Sequence, residues 1–171
     1  MEYKIVYLGL GSNHGDRMGY LETAVEMITI KIGKIFSKSS VYMTEPWGFM
    51  DDLFFLNQVV GVKTPLSPQG VLQNIKKIEN ELGRTRNGEG YESRTLDIDI
   101  LFYADYVIDF KDLKIPHPLL QERKFVLVPL AEIAGSYIHP VNQKSVAALL
   151  KECNDQKQVR IIKFKNSDNK S

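Results

Sequence analysis

Two aspartates one residue apart in a strand-like stretch are the sharpest chemical feature of the chain. They stand in Arg94-Thr95-Leu96-Asp97-Ile98-Asp99-Ile100-Leu101. Alternate side chains of a strand share a face, so Asp97 and Asp99 point the same way, with Cα atoms about 6.8 Å apart. Leu96, Ile98 and Ile100 fill the opposite face. Neighbouring carboxylates repel unless something positive lies between them. Mg²⁺ takes one or two carboxylates and completes its shell with water and phosphate oxygens. The plainer alternative is two solvated aspartates on an open sheet face, which the depletion of Asp in strands weakens. Arg84, Arg86 and Arg94 border the adjoining stretch. Arginine matches phosphate oxygens bidentately, so metal-type carboxylates beside anion-type arginines point to a polyphosphate site. A solvated loop of scattered charges, with Glu89 and Glu92 among them, is the alternative.

Three further groups are weaker taken singly. In Ile115-Pro116-His117-Pro118, followed by Arg123-Lys124-Phe125, flanking prolines stiffen the chain around His117. A fixed histidine can donate to a phosphate, although a lone histidine is more often structural. His14 and His139 lack such surroundings and are expected at the surface. Gly9-Leu10-Gly11-Ser12-Asn13-His14-Gly15 approaches a dinucleotide fingerprint, but its third glycine is one position late. These glycines are better suited to close approach by a neighbour or ligand. Phe55 and Asn57 share a strand face, and a ring plus a carboxamide can stack on and hydrogen-bond a flat heterocycle. A core aromatic beside a satisfied asparagine explains that pair equally simply.

These groups need a scaffold, and the patterning supplies one. Tyr3–Leu10 predicts a buried strand. Asp16 can cap a helix whose stripe is Met18, Leu21, Val25, Ile28 and Ile32, closed by Gly33. Lys34–Met43 predicts a second strand, Glu45–Asp52 a loop holding Trp47, and Phe54–Val62 a third strand. Ser67-Pro68 starts a second helix with the stripe Val71, Ile75, Ile78 and Leu82, ended by Gly83. Arg84–Ser93 predicts a mobile loop and Thr95–Tyr103 a fourth strand. Pro116, Pro118 and Pro129 predict a loop with short helical turns around Phe125–Ala134, before a short helix at Ser145–Cys153 and a late strand at Val159–Phe164. The order β-α-β-β-α-β is that of a split β-α-β, ferredoxin-like α+β sandwich, mainly antiparallel with helices packed on the sheet.

Composition narrows the function classes. Lys plus Arg is 22 and Asp plus Glu is 21 in 171 residues, a net charge of +1. A dedicated nucleic-acid binder is usually strongly basic. No apolar run approaches the ~20 residues that span a bilayer, and no secretory leader is read after Met1. Cys153 is the only cysteine, which excludes an intramolecular disulfide and a cysteine zinc cluster. The expectation is a cytoplasmic protein with one domain over residues 1–165, a polar frayed tail at 166–171, and no nucleic-acid, membrane or obligate protein partner.

Gly11-Ser12-Asn13, Phe55-Leu56-Asn57, Glu79 with Gly83-Arg84-Thr85-Arg86, Arg94 through Ile100, and Pro116-His117-Pro118 through Arg123-Lys124-Phe125 occur in that order. So arranged, the chain resembles the 6-hydroxymethyl-7,8-dihydropterin pyrophosphokinase family over most of its length. The resemblance implies a folate-biosynthesis transferase moving a pyrophosphoryl group from ATP to the pterin hydroxymethyl oxygen, leaving AMP. It implies a pair of Mg²⁺ ions held by Asp97 and Asp99, with Arg84 and Arg94 on the ATP phosphates. His117 and Arg123 would bind the triphosphate or nearby ATP groups. Leu72, Lys76, Glu79, Arg86, Ile100 and Lys114 would line the nucleotide site. Thr44, Glu45 and Trp47 would shape a pterin pocket, Phe55 and Phe125 would sandwich the ring, and Asn57 would pair with its polar edge. Gly90-Tyr91-Glu92-Ser93 stands where the family usually has Arg-Trp-Gly-Pro, and Asp112 where some members carry a basic residue. The main alternative is a non-catalytic ferredoxin-like RNA- or nucleotide-binding module, which needs exposed sheet aromatics and a basic face. A Mg²⁺-dependent nucleotide cyclase on the same fold is a second.

Overall fold

A computed structural model describes residues 1–44, 54–86, 92–94 and 96–162. Strand β1 (Lys4–Ser12) lies between β4 (Phe55–Thr64) and β7 (Asp97–Tyr103), antiparallel to both. The outer side of β4 carries two strands end to end, β2 (Lys34–Lys38) and β3 (Tyr42–Thr44). Read as the four strands the sequence predicts, the order is fourth, first, third, second, the arrangement of a split β-α-β pair.

The predicted second strand is therefore corrected: Lys34–Met43 is interrupted at 39–41. Ser39 is the cause. Its N–H donates to Val59 O at 2.8 Å, while its hydroxyl accepts from Val59 N at 2.9 Å. The side chain takes over a ladder bond, and regular pairing with β4 resumes only at Tyr42. The last strand, β10 (Val159–Ile161), then adds to β3, with Val159 opposite Thr44.

Helix α1 (Arg17–Lys31) starts where Asp16 accepts from Gly19 N at 3.0 Å, and α2 (Pro68–Gly83) where Ser67 Oγ accepts from Gly70 N at 3.1 Å. Both caps are the ones the sequence signals. Leu21, Ala24 and Ile28 of α1, with Val71, Ile75 and Ile78 of α2, pack on Val6, Leu8 and Leu10 of the sheet. Truncating one of these leucines or isoleucines to Ala costs about 2–5 kcal/mol. Gly33 closes the α1 connection by close approach: a Cβ there would lie 2.1 Å from Lys63 O.

The other sheet face carries a second core. Leu127, Leu130 and Ala134 of α3 (Lys124–Ala134) and Leu149 of α4 (Val146–Glu152) cover Tyr7, Val59, Leu101 and Phe102. Here the expectation of broken turns is corrected: α3 is one helix, led by a 3₁₀ turn at Leu120–Glu122, and it runs through Pro129. Proline lacks the N–H that would bond the Phe125 carbonyl, and burial of three apolar side chains on the sheet outweighs that loss.

His139, expected at the surface, is buried. Its Nδ1 accepts from Val141 N and Asn142 N at 3.1 and 3.0 Å, and its ring meets Phe102 edge-on. Two short ribbons also escaped the pattern. One is β8 (Ile108–Asp109) with β9 (Lys114–Ile115). The other pairs β5 (Arg84–Arg86) with β6 (Glu92–Arg94), so both ends of the predicted loop 84–93 are strands. The Trp47 loop and the tail after residue 162 lie outside the described residues. Among those described, no helix is long and apolar enough to cross a membrane.

Candidate active site

The sheet builds the site in rows. Asp97 of β7 stands opposite Gly11 of β1, which stands opposite Asn57 of β4. One row on, Asp99 faces Gly9, and Gly9 faces Val59. The two carboxylates and the carboxamide thus share one face, separated by glycines. Asp97 and Asn57 are two strand spacings apart, about 10 Å, and Gly11 between them carries no side chain. A Cβ on Gly11 would lie 3.2 Å from Asn57 Oδ1.

This floor opens into a cavity of about 420 Å³ that also takes in Thr44, Phe55, Arg123 and Phe125. Asn57 is 7% exposed and Thr44 3%. Their bond fixes the amide: Asn57 Nδ2 donates to Thr44 Oγ1 at 2.9 Å. Phe55 sits at the start of β4, where the Arg17 guanidinium donates to the carbonyl of Phe54. Phe125 comes from the first turn of α3. The cavity therefore has an aromatic ring from the sheet and another from the covering helix, with a carboxamide and a hydroxyl between strands.

β7 is an edge strand, and its outward backbone groups find partners in two other elements. Glu79 of α2 accepts from Ile98 N at 3.1 Å, between the two aspartates. His117 N donates to Leu101 O at 3.1 Å, while His117 Nδ1 accepts from Leu119 N at 3.2 Å. That second bond leaves the neutral ring's proton on Nε2. Burial pulls His117 below its usual pKa; the Asp99 carboxylate opposes the fall and the Arg123 guanidinium adds to it. His117 thus lies within electrostatic reach of Arg123, which follows it in the same motif, and of Asp99 from the aspartate pair.

Asp97 is half-buried and Asp99 exposed. Among the described residues, no group of three or more His, Cys, Asp or Glu forms a metal cage. A pair of carboxylates over open space is the donor set of Mg²⁺, which keeps waters and accepts phosphate oxygens. The residues present fit that ion.

Leu72, Lys76, Ile100 and Lys114 are not among the described residues that line this cavity. Leu72 is packed against the first core and Lys76 is exposed, both on α2, while Ile100 is buried among the core side chains. Lys114 is exposed and pairs with Asp109 at 3.2 Å. Arg84 and Arg94 are opposite one another in the β5–β6 register, with Arg86 opposite Glu92. Glu45 and Trp47 lie outside the described residues.

Among the lining residues that the sequence did not mark as site residues, Lys157 is the charged one. Lys157 enters from the C-terminal segment, its Nζ 5.9 Å from the Phe125 ring centroid. Nothing local marks it as a cavity residue, because the cavity groups beside it, Arg123 and Phe125, are more than thirty positions away in sequence.

Residues 7–135 match the model of the 7,8-dihydro-6-hydroxymethylpterin-pyrophosphokinase family (HPPK). The chain is 48% identical over 141 residues to the 2-amino-4-hydroxy-6-hydroxymethyldihydropteridine pyrophosphokinase of Aquifex aeolicus, covering 81% of this chain and 86% of that protein. It is 45% identical over 139 residues to that of Porphyromonas gingivalis, covering 80% and 94%. The Bacillus subtilis protein is 42% identical over 166 residues, covering 95% and 92%. The backbone resembles wild-type Plasmodium falciparum HPPK-DHPS with pteroate at a TM-score of 0.75 and 20% identity. That likeness covers 88% of this chain and 44% of the larger protein, so the chain spans less than half of it.

Proposed function

This chain belongs to the 7,8-dihydro-6-hydroxymethylpterin-pyrophosphokinase family, and from that premise we infer how its cavity carries out the family reaction. A pyrophosphoryl group moves from ATP to the hydroxymethyl oxygen of 6-hydroxymethyl-7,8-dihydropterin in folate synthesis. The oxygen bonds to the β-phosphorus, the bond from that phosphorus to the α-phosphate oxygen breaks, and AMP leaves while the hydroxyl loses its proton.

The observation that carries the assignment of roles is the shared floor of Asp97, Asp99 and Asn57 across two glycines. The pterin ring stacks between Phe55 and Phe125, and its polar edge meets Asn57, whose amide is held by Thr44. Discrimination belongs to the carboxamide, because stacking accepts any flat ring. This puts the hydroxymethyl arm toward Asp97 and Asp99. These two carboxylates would hold Mg²⁺, which when bound neutralises phosphate charge and lowers the pKa of a coordinated hydroxyl.

Neutral His117 would donate from Nε2 to a phosphate oxygen, and Arg123 would supply full charge nearby. Arg84 and Arg94, opposed in the β5–β6 ribbon, would bring further charge to the phosphates as the reaction proceeds. Glu79, expected at the nucleotide, also holds the β7 edge at Ile98 and so fixes the spacing of the aspartates. We assign residues 1–165 to one pyrophosphokinase unit. Its one cysteine, Cys153, suits a reducing compartment such as the cytoplasm.

Separately labelled β- and γ-³²P ATP tests the reaction. With Mg²⁺ and hydroxymethyldihydropterin, both labels should appear in the pterin product, with AMP in equal amount. Transfer of the γ label alone, with ADP, would contradict it.

A further inference from the structure

The family match ends at residue 135, yet one cation of the cavity comes from beyond it. Lys157 lies two residues before β10, whose Val159 stands opposite Thr44. The sheet edge that carries the pterin pocket therefore also delivers this lysine. A second restraint comes from Asp155, whose two oxygens accept from Lys124 N at 3.1 Å and Lys157 N at 3.0 Å. Arg123 makes no side-chain cap at the start of α3. Asp155, thirty-one positions away from Lys124, provides that cap and pins the 155–157 turn to the helix bearing Phe125.

The result is two cations on one ring. The Arg123 guanidinium carbon is 5.7 Å from the Phe125 centroid and Lys157 Nζ is 5.9 Å from it. Burial pulls the Lys157 pKa down, the Asp155 carboxylate pushes it up, and Arg123 pulls it down again. Arg123 and Lys157 both line the cavity beside the Phe125 ring, so this wall presents two positive groups, the sign that receives an anionic ligand. The pterin substrate carries no phosphate, whereas the product carries two at the end of its arm.

We propose that Lys157 is a binding residue for the diphosphate of the product, acting with Arg123 beside the Phe125 ring. The inference rests on the pterin reading of the cavity. It explains why a lysine held by Asp155 stands where its stem can lie along the ring and its ammonium reach the arm. The same group would meet the β- and γ-phosphates of ATP as they become that diphosphate, so the chemistry recognised is one pyrophosphoryl group throughout.

Lys157→Met keeps the stem and removes the charge, and Lys157→Arg keeps a charge. Hydroxymethyldihydropterin and its diphosphate are titrated separately into wild type and both variants by calorimetry. The Met variant should bind the diphosphate about tenfold more weakly, the loss of one charge-assisted contact. Its binding of the phosphate-free pterin should stay within about twofold, and the Arg variant should recover most of the loss. The salt dependence of diphosphate binding should also flatten in the Met variant. An unchanged diphosphate affinity, or an equal loss for both pterins, overturns the proposal. If wild type binds both pterins and only the Met variant is indifferent, the Lys157 role alone falls. If wild type binds neither pterin, the reading of the cavity falls and takes the proposal with it.

Discussion

At the end of the cavity where we place the ring, the polar groups sit on interior strands, and at the end where we place the phosphates they hang from an edge. Asn57 and Thr44 are nearly sealed and bonded to each other before any ligand arrives. Asp99 is exposed, and the β7 edge beneath it is held by Glu79 from a helix and by His117 from a loop. The contrast follows from solvation. A neutral amide can be buried once a partner is built in, at a small net cost. Unpaired charges cannot, and the Asp99 carboxylate accordingly stays in water, where a cation can bring the compensating charge. On the proposed reading, specificity would thus be preformed and charge stabilisation assembled from separate elements.

The largest effect should come from the edge. Asp97→Ala or Asp99→Ala should lower turnover by about 10³-fold. Thermal unfolding should shift little or rise, since each change relieves carboxylate repulsion. Steady-state kinetics with a melting curve checks both halves, and full Mg²⁺-dependent turnover in both variants would remove the aspartates from the chemistry.

The ring end answers to packing instead. Gly11→Ala would place a methyl 3.2 Å from Asn57 Oδ1. The carboxamide must then give way, and pterin affinity should fall about tenfold with ATP affinity unchanged. A loss shared by ATP would mean that the two ends are not separable.

The smallest effect lies outside both. Burial holds His139 below its ordinary pKa, so the folded protein keeps it neutral where the unfolded chain takes up a proton. Its stabilising contribution is complete above about pH 6.5 and is lost as pH falls below that toward the folded value. His117, shifted the same way, adds with the same sign. The melting temperature should therefore fall between about pH 7.5 and about pH 5.5, and by less in His139→Asn. An identical pH dependence in both proteins would count against a buried neutral ring.

How far the sequence foretold these regions depends on how local each signal is. Asp97 and Asp99 were legible because strand alternation fixes their face whatever the rest of the chain does. Asp16 and Ser67 were legible as caps because each bonds a backbone N–H three residues on. The four-strand order followed from the alternation of patterns. The break at Ser39 was not visible, since it needs the facing Val59. Nor was the helix through Pro129, where tertiary burial overrides a local breaker. His139 looked like a surface histidine because its two backbone donors and Phe102 become neighbours only in the fold. Lys157 was hidden for the same reason.

The division between a preformed ring end and an assembled phosphate end is tested most directly on Asn57→Ala. Hydroxymethyldihydropterin and Mg²⁺-ATP are titrated separately into wild type and variant by calorimetry. Removing the carboxamide leaves the ring's polar edge unpaired in a closed pocket, a cost of about 1–3 kcal/mol. Pterin affinity should fall by roughly one to two orders of magnitude while ATP affinity stays within about twofold. Equal losses for the two ligands would contradict the account, because Asn57 would then support the fold rather than choose the ring.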